Sequence, residues 1–274
     1  MLSTINKAGI AREIKKHFPK LWMERELRLR PNHFEPELWL VPYFCDKRKT
    51  AIDIGANMGT YSYFMRKFSK QVIAFEPNTD LWDYLRQLLG KDFRIEGAAL
   101  SNRVGTSTIR IDHTNTGVAT IEERNDLSCV KDKSIVVEKV VEVRMLDSFE
   151  FSDVAMIKID VEGHEEAVVA GAAETIRRCR PFLIIESEDR HNPGAPRRLA
   201  DSISRFDYRV FFLRGDKLPD FADLLDEDMN PENLSRRDRE YINNFIFIPA
   251  ENGKKIEQLR GFLSRHDRTA GGIA

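Results

Sequence analysis

The strongest constraint on this chain is the stretch AIDIGANMGTYS, residues 51–62, where an apolar run ends in Asp53 and Gly55 and Gly59 follow before a helical pattern begins. Glycines at a strand-to-helix turn permit a tight bend and let a ligand approach bare backbone. The neighbouring segments extend the pattern. TAIDIG, QVIAFEP, FRIEGAAL, VAMIKID and PFLIIES read as five apolar strands. Helical stretches at YSYFMRKFS, TDLWDYLRQLLG and residues 165–178 lie between them, and DYRVFFL and NFIFIPA follow as two more strands. Strands this apolar, alternating with helices, imply an α/β fold with a mostly parallel sheet covered on both faces.

Two stretches interrupt the alternation. Residues 103–146 hold TSTIRID and KSIVVEKVVEV, which alternate like the strands of an inserted β-hairpin around a polar loop. Residues 214–240 form a long charged insertion. The expected division is a helical cap over residues 1–49, the main domain over 50–250, and a C-terminal helix with a flexible tail over 251–274. In the cap, Ser3 or Thr4 would start a helix whose apolar stripe is Ile5, Ala8, Ile10, Ile14 and Phe18. Its lysines, Lys15, Lys16 and Lys20, leave peripheral docking on an anionic membrane open.

Charge narrows the partners. The 274 residues carry 43 basic and 44 acidic side chains, a formal charge of −1, which argues against a dedicated nucleic-acid binder. Three widely spaced cysteines (Cys45, Cys129, Cys179) make neither a disulfide framework nor a zinc site and fit a reducing compartment. The start lacks an apolar core of signal-peptide length and no eighteen apolar residues run together, so a soluble, cytoplasmic protein is expected. The oligomeric state is not fixed by any of this.

A dinucleotide-binding turn would read G-x-G-x-x-G with a pyrophosphate on the helix N-terminus. Here Asn57 stands where that pattern needs glycine, and Asp53 would repel a pyrophosphate. Asp53 suits instead a cationic ligand with amino and hydroxyl donors, a description that S-adenosylmethionine meets. Glu76 ends the second strand, 23 residues beyond Asp53, where a carboxylate can accept both ribose hydroxyls of an adenosine.

IKIDVEGHEEAVVAGA, residues 157–172, places Asp160, Glu162 and His164 where the fourth strand ends, the position at which open α/β sheets bind ligands. An alcohol is a poor nucleophile at neutral pH and needs a base or a metal. His164 is the natural base, with Asp160 accepting the proton or orienting the imidazole. A divalent metal on Asp160 and Glu186, with Glu188 or Asp189 beyond, is the less favoured alternative.

AIDIGANMGTYS, VIAFEPN, GAALSNRVGT and IKIDVEGHEEAVVAGA, followed by PFLIIES, resemble the FkbM-type S-adenosylmethionine-dependent methyltransferases over about residues 50–188. The resemblance implies a class I methyltransferase fold, Rossmann-like, with seven strands of which the last is antiparallel. It also implies O-methylation, frequently of a sugar hydroxyl in a glycan, glycolipid or glycosylated natural product. Carried onto this chain, Asp53, Gly55, Asn57 and Gly59 would hold the methionine end of the cofactor. Glu76 would take the ribose, Pro77 and Asn78 would shape the adenine side, Ala99 would touch the adenine, and Asp160 would lie beside the sulfonium. Acceptor recognition is expected from the added parts: the N-terminal helices, the hairpin loop and the 214–240 insertion. Trp22 and Trp39 invite sugar stacking, whereas Trp82 reads as core. A polyketide, lipid or protein acceptor is the alternative, and a non-catalytic cofactor-binding module is the rival from another class.

Overall fold

The apolar runs pair into two sheets. The larger contains β1 (Thr50–Ile54), β2 (Gln71–Phe75), β3 (Arg94–Glu96), β8 (Val154–Ile159), β9 (Phe182–Glu186), β10 (Tyr208–Phe212) and β11 (Asn244–Pro249). Its order is β10-β11-β9-β8-β1-β2-β3. All neighbours run parallel except β11, which is antiparallel to both β9 and β10. The structure is a computed structural model. It describes residues 13–265 apart from 91–92, 113, 116–117, 126, 128–129, 131 and 236–239. The cap residues Ser3 to Ile10, Cys129 and the tail from 266 onward therefore lie outside the described residues.

The third strand does not continue as the sequence suggests. FRIEGAAL breaks after Glu96: a Cβ on Gly97 would meet the Trp82 ring at 2.6 Å, so the chain passes there bare. β4 (Ala99–Leu100) joins instead the second sheet, ordered β4-β7-β5-β6, with β5 (Gly105–Asp112), β6 (Ala119–Thr120) and β7 (Val136–Arg144). The expected hairpin, β5 against β7, is thus the centre of a small separate sheet. The helix expected over 165–178 is two, Glu165–Ala170 and Ala173–Cys179. Gly171 between them abuts the Ser101 carbonyl, where a Cβ would come within 2.0 Å. The charged insertion carries short 3₁₀ turns, at Phe221–Asp223, Asp226–Met229 and Pro231–Ser235.

Period-two alternation puts two different cores on the large sheet. Ile52, Ile54, Phe75, Ile157, Ile159, Ile185 and Phe245 pack on one face under Val168, Val169 and Leu199. Ala51, Met156, Ile184 and Ile246 face the other, covered by Leu38, Leu40, Val41 and Phe44 of the N-terminal segment and by the helix Gly253–Leu263. The second face turns polar at the carboxyl ends of the strands. Asp53 pairs in register with Lys158, and Glu186 with Asn244, so these four side chains and Asp160 share that face. Among the described residues no helix is long and apolar enough to cross a membrane.

Candidate active site

Three residues of the first turn have left-handed backbone: Gly55 (φ 79°), Asn57 (φ 45°) and Gly59 (φ 75°). At Gly55 this is steric necessity, because a Cβ would lie 1.8 Å from the Asp160 carbonyl oxygen. Gly59 serves packing instead, since a Cβ there would press on Leu85 at 2.7 Å. The turn is held from both sides by carboxylates. Asp53 accepts from the Ser62 amide at 2.8 Å and its hydroxyl at 2.6 Å, tying β1 to the helix Thr60–Met65. Glu76 accepts from the Asn57 amide at 2.7 Å and the Asn78 amide at 2.8 Å.

The cleft at these strand ends has two lobes that share Gly55, Asn57 and Asp160. The first, about 600 Å³, is lined by Glu76, Pro77, Ala99, Glu162 and His164 together with apolar Ile109, Ala119 and Ile121 of the second sheet. The second, about 780 Å³, is lined by Asp53, Thr60, Tyr61 and Lys158, and is roofed by His33, Phe34, Glu35 and Leu38 of the N-terminal segment. Gly59 and Asn78 line neither lobe. Asn78 is buried and caps the turn Thr79–Leu81 through its side chain.

Burial sets the electrostatics. It pushes the Asp53 carboxyl up to about 6, against the opposing pull of Ser62 and Lys158. It pushes Glu76 up to about 7, although two backbone amides favour its charged form. Glu162 rises to about 9 through burial and the nearby charges of Asp160 and Glu188. Its carboxyl faces His191 Nε2 at 3.1 Å, an imidazole whose own pKa burial lowers.

His164 sits in the first lobe with both ring nitrogens engaged. Nδ1 faces Glu122 Oε2 at 3.0 Å and Nε2 faces Ser101 Oγ at 2.9 Å. The Glu122 carboxyl is held below its ordinary range: burial works against this, but the bonds from His164 and Arg124 prevail. The same segment clamps the turn that presents His164. Thr120 Oγ1 and Asn125 Nδ2 both donate to the Glu162 carbonyl at 2.9 Å. Buried Glu165 accepts from the Gly163 amide at 2.9 Å, closing the turn from the helix side.

Asp160 looks into both lobes and belongs to a different constellation. Its carboxyl lies with those of Glu35 and Glu186 in a group whose ligand atoms are all within 4.8 Å. Lys158, 1% exposed, reaches into this group. Its Nζ lies 3.8 Å from Asp160 Oδ2 and 3.9 Å from Glu35 Oε2, and it donates to Asn244 Oδ1 at 3.1 Å. Burial works against the lysine charge, but Glu35, Asp160 and Glu186 outweigh it, so its pKa is raised. The Asp160 and Glu186 carboxyls lie close together; both are raised, first by burial, and Glu186 next by the charge of Asp160. Glu188 shares the Asn243 amide with Glu186. Despite burial, Arg190 and Tyr241 hold it down to about 2, and Asp189 accepts from the Gly194 amide.

Sequence reasoning did not find Lys158, Glu35, Glu122 or His191. Lys158 carried a signal, a lysine two residues before Asp160 in a strand that must be buried on both faces. The tryptophans lie elsewhere. Trp39 packs edge-on against Phe64, Trp22 sits half-buried under Lys15, and Trp82 donates Nε1–H to the Glu76 carbonyl at 2.9 Å.

Comparison with known proteins adds a family and a few distant relatives. Residues 53–226 match the Methyltransferase FkbM domain. The hexuronic acid methyltransferase AglP of Haloferax volcanii is 27% identical over 134 residues, covering 49% of this chain and 54% of that protein. The chain thus spans about half the length of that curated relative. A methyltransferase FkbM from Methylobacillus flagellatus KT superposes with a TM-score of 0.46 at 14% identity, over 86% of this chain and 52% of that one. An O-methyltransferase from Bacillus cereus in complex with SAH superposes with a TM-score of 0.40 at 13% identity, over 87% and 96%.

Proposed function

Because this chain belongs to the FkbM methyltransferase family, we propose that its two-lobed cleft moves a methyl group from S-adenosylmethionine onto a hydroxyl oxygen of a carbohydrate acceptor. The observation that carries this reading is the placement of Glu76 and Asp160 about the Gly55 turn, Glu76 at the wall of the first lobe and Asp160 at the wall of both. The lining fits the cofactor. Glu76 has lone pairs left for two ribose hydroxyls, and Ala99, Ile109 and Ile121 offer an apolar wall to an adenine. The acidic strand ends at Asp53 and Asp160 suit a cationic centre. When bound there, S-adenosylmethionine would supply an electrophilic methyl group on sulfur.

The chain's own part is to orient the acceptor and take its proton. Orientation supplies much of the acceleration in an in-line displacement. Asp160, paired with Glu186 and facing the second lobe, accepts the hydroxyl proton at a carboxylate oxygen. Lys158 keeps that pair poised, since its buried ammonium compensates negative charge without leaving the site. His164, the base favoured on sequence grounds, has its nitrogens committed to Glu122 and Ser101 and is read here as part of the nucleoside wall. Glu35, Asp160 and Glu186 have the spacing for a cation, but Lys158 already supplies a counter-charge among them, which supports a metal-free base.

The carbohydrate class draws support from the name of the Haloferax relative and from the polar lining of the second lobe. The test is transfer of isotope-labelled methyl from S-adenosylmethionine into fractionated extract of the native host, with and without EDTA. EDTA-insensitive label in glycan or glycolipid is expected. Label in protein, RNA or small apolar products would overturn the acceptor class, and loss of label with EDTA would overturn the metal-free base.

A further inference from the structure

Resting on that methyl-transfer reading, we infer that Glu35 is an acceptor-binding residue supplied from outside the family domain, and that the acceptor it admits offers hydroxyls and no carboxylate. Glu35 lies eighteen residues before the first residue that the family match covers. It stands between the short turns Pro31–His33 and Pro36–Leu40, and buried Leu38 and Leu40 anchor the second of these to the sheet. The packing therefore delivers one carboxylate over the carboxyl ends of β1, β8 and β9.

The carboxylate is fixed at its Oε2. Tyr61 Oη donates to it at 2.9 Å and Asn244 Nδ2 at 3.3 Å, with Lys158 Nζ at 3.9 Å. Yet the side chain keeps 39% of its surface exposed and lines the second lobe, on the far side of the shared turn from Glu76. An anchored carboxylate that still faces a cavity is an acceptor-only group for ligand hydroxyls. Asp160 lies within the same group, so a hydroxyl held by Glu35 is presented beside the proposed base.

Charge then selects among acceptors. Among the described lining of this lobe, the acids with exposed surface are Glu35 at 39% and Asp160 at 31%, whereas Asp53 at 2% and Lys158 at 1% are both sealed. Lys158 is sealed at 1% exposure and engaged with Asn244, Glu35 and Asp160, and His33 is at the exposed rim. A uronate carboxylate would enter beside Glu35 and Asp160, and the buried cation there, Lys158, is already engaged by both; like-charge juxtaposition is a strong element of rejection. A neutral sugar meets no such barrier.

Two measurements on the full chain test this. Calorimetry with S-adenosylhomocysteine reads the nucleoside lobe, and transfer of labelled methyl into the host carbohydrate fraction reads the acceptor lobe. For Glu35→Gln the KM for the carbohydrate fraction is expected to rise about tenfold, the typical effect of a lost hydrogen bond to a charged group. Affinity for S-adenosylhomocysteine should stay within about twofold, a change near the margin of ordinary surface substitutions. Glu35→Asp, which keeps the charge and shortens its reach, should fall between and serves if the glutamine variant does not fold. Unchanged KM in both variants, or equal loss of S-adenosylhomocysteine affinity, would overturn the role of Glu35. Hydrolysis of the labelled glycan and electrophoresis at neutral pH should give a methylated sugar that does not move as an anion; a labelled uronate would overturn the charge selection. Label found only outside carbohydrate would instead remove the acceptor class proposed above.

Discussion

At the scale of single residues the site separates binding from chemistry, and two carboxylates report on each. Glu76 is pushed up to about 7, while the ribose hydroxyls proposed to bind it would donate to its charged form. Binding should therefore release a proton, and affinity for S-adenosylhomocysteine should strengthen as pH rises from 6 to 8. Calorimetry across that range checks this, and affinity that falls with pH would contradict it. Asp160→Asn keeps the shape and removes the proposed base. It should leave S-adenosylhomocysteine affinity nearly intact and lower kcat by about 100-fold or more, the usual scale of a lost general base. His164→Gln, by contrast, should raise KM for S-adenosylmethionine with kcat within a few-fold. A steep loss of kcat in the histidine variant with a normal asparagine variant would reverse the two roles. Asp160, Glu76 and His164 were legible in the sequence because they follow recognisable strand ends. Glu35 was not, since it reaches the site by tertiary packing of a proline-punctuated segment that carries no periodic pattern.

Elements explain why the turn can be built at all. β1 is followed by a residue whose side chain must be absent, because β8 runs alongside the strand and the Asp160 carbonyl fills the space that a Cβ on Gly55 would need. Gly55→Ala should abolish cofactor binding and lower the melting temperature, and near-normal values for both would contradict the close approach. The second sheet was read from sequence as an exposed hairpin serving the acceptor. In the fold its β6 end and the following loop line the first lobe, which the proposal gives to the nucleoside, and clamp the Glu162–His164 turn. Asn125→Ala removes one of the two bonds to the Glu162 carbonyl, a loss of about 1 kcal/mol of stability. It should weaken S-adenosylhomocysteine binding several-fold while leaving the acceptor KM unchanged. Alternation along β5 and β7 disclosed the pairing, but which lobe those strands would border depends on the break at Gly97. At that break Gly97 passes bare against the Trp82 ring, a contact that local pattern does not reveal.

Over the whole molecule, buried acids make the fold sensitive to alkali. Glu76 and Glu165 rise from 4.5 to about 7, and Asp53 from 3.8 to about 6. For a group raised on folding, the native state binds more protons than the unfolded chain between the two values. These groups stabilise the fold fully below about pH 4 and lose that contribution as pH climbs through 6 and 7. The melting temperature of the ligand-free protein should therefore fall between pH 5 and pH 8, and the rise produced by saturating S-adenosylhomocysteine should be larger at pH 8 than at pH 6. Scanning fluorimetry at both values checks the pair, and a ligand-free protein more stable at pH 8 would contradict it. The large sheet itself was legible because apolar runs of five or six residues between helices leave few topologies. The division of its carboxyl end into two lobes was not, since one lobe is completed by the N-terminal segment and the other by the second sheet.

The most direct measurement is a calorimetric titration of S-adenosylmethionine into the wild-type protein and into Glu76→Gln. One site per chain is expected in the wild type, with affinity about 10- to 100-fold weaker in the variant, the range for hydrogen bonds to a charged group. Absence of binding by the wild type, or equal affinity in the two proteins, would contradict the assignment of the cleft.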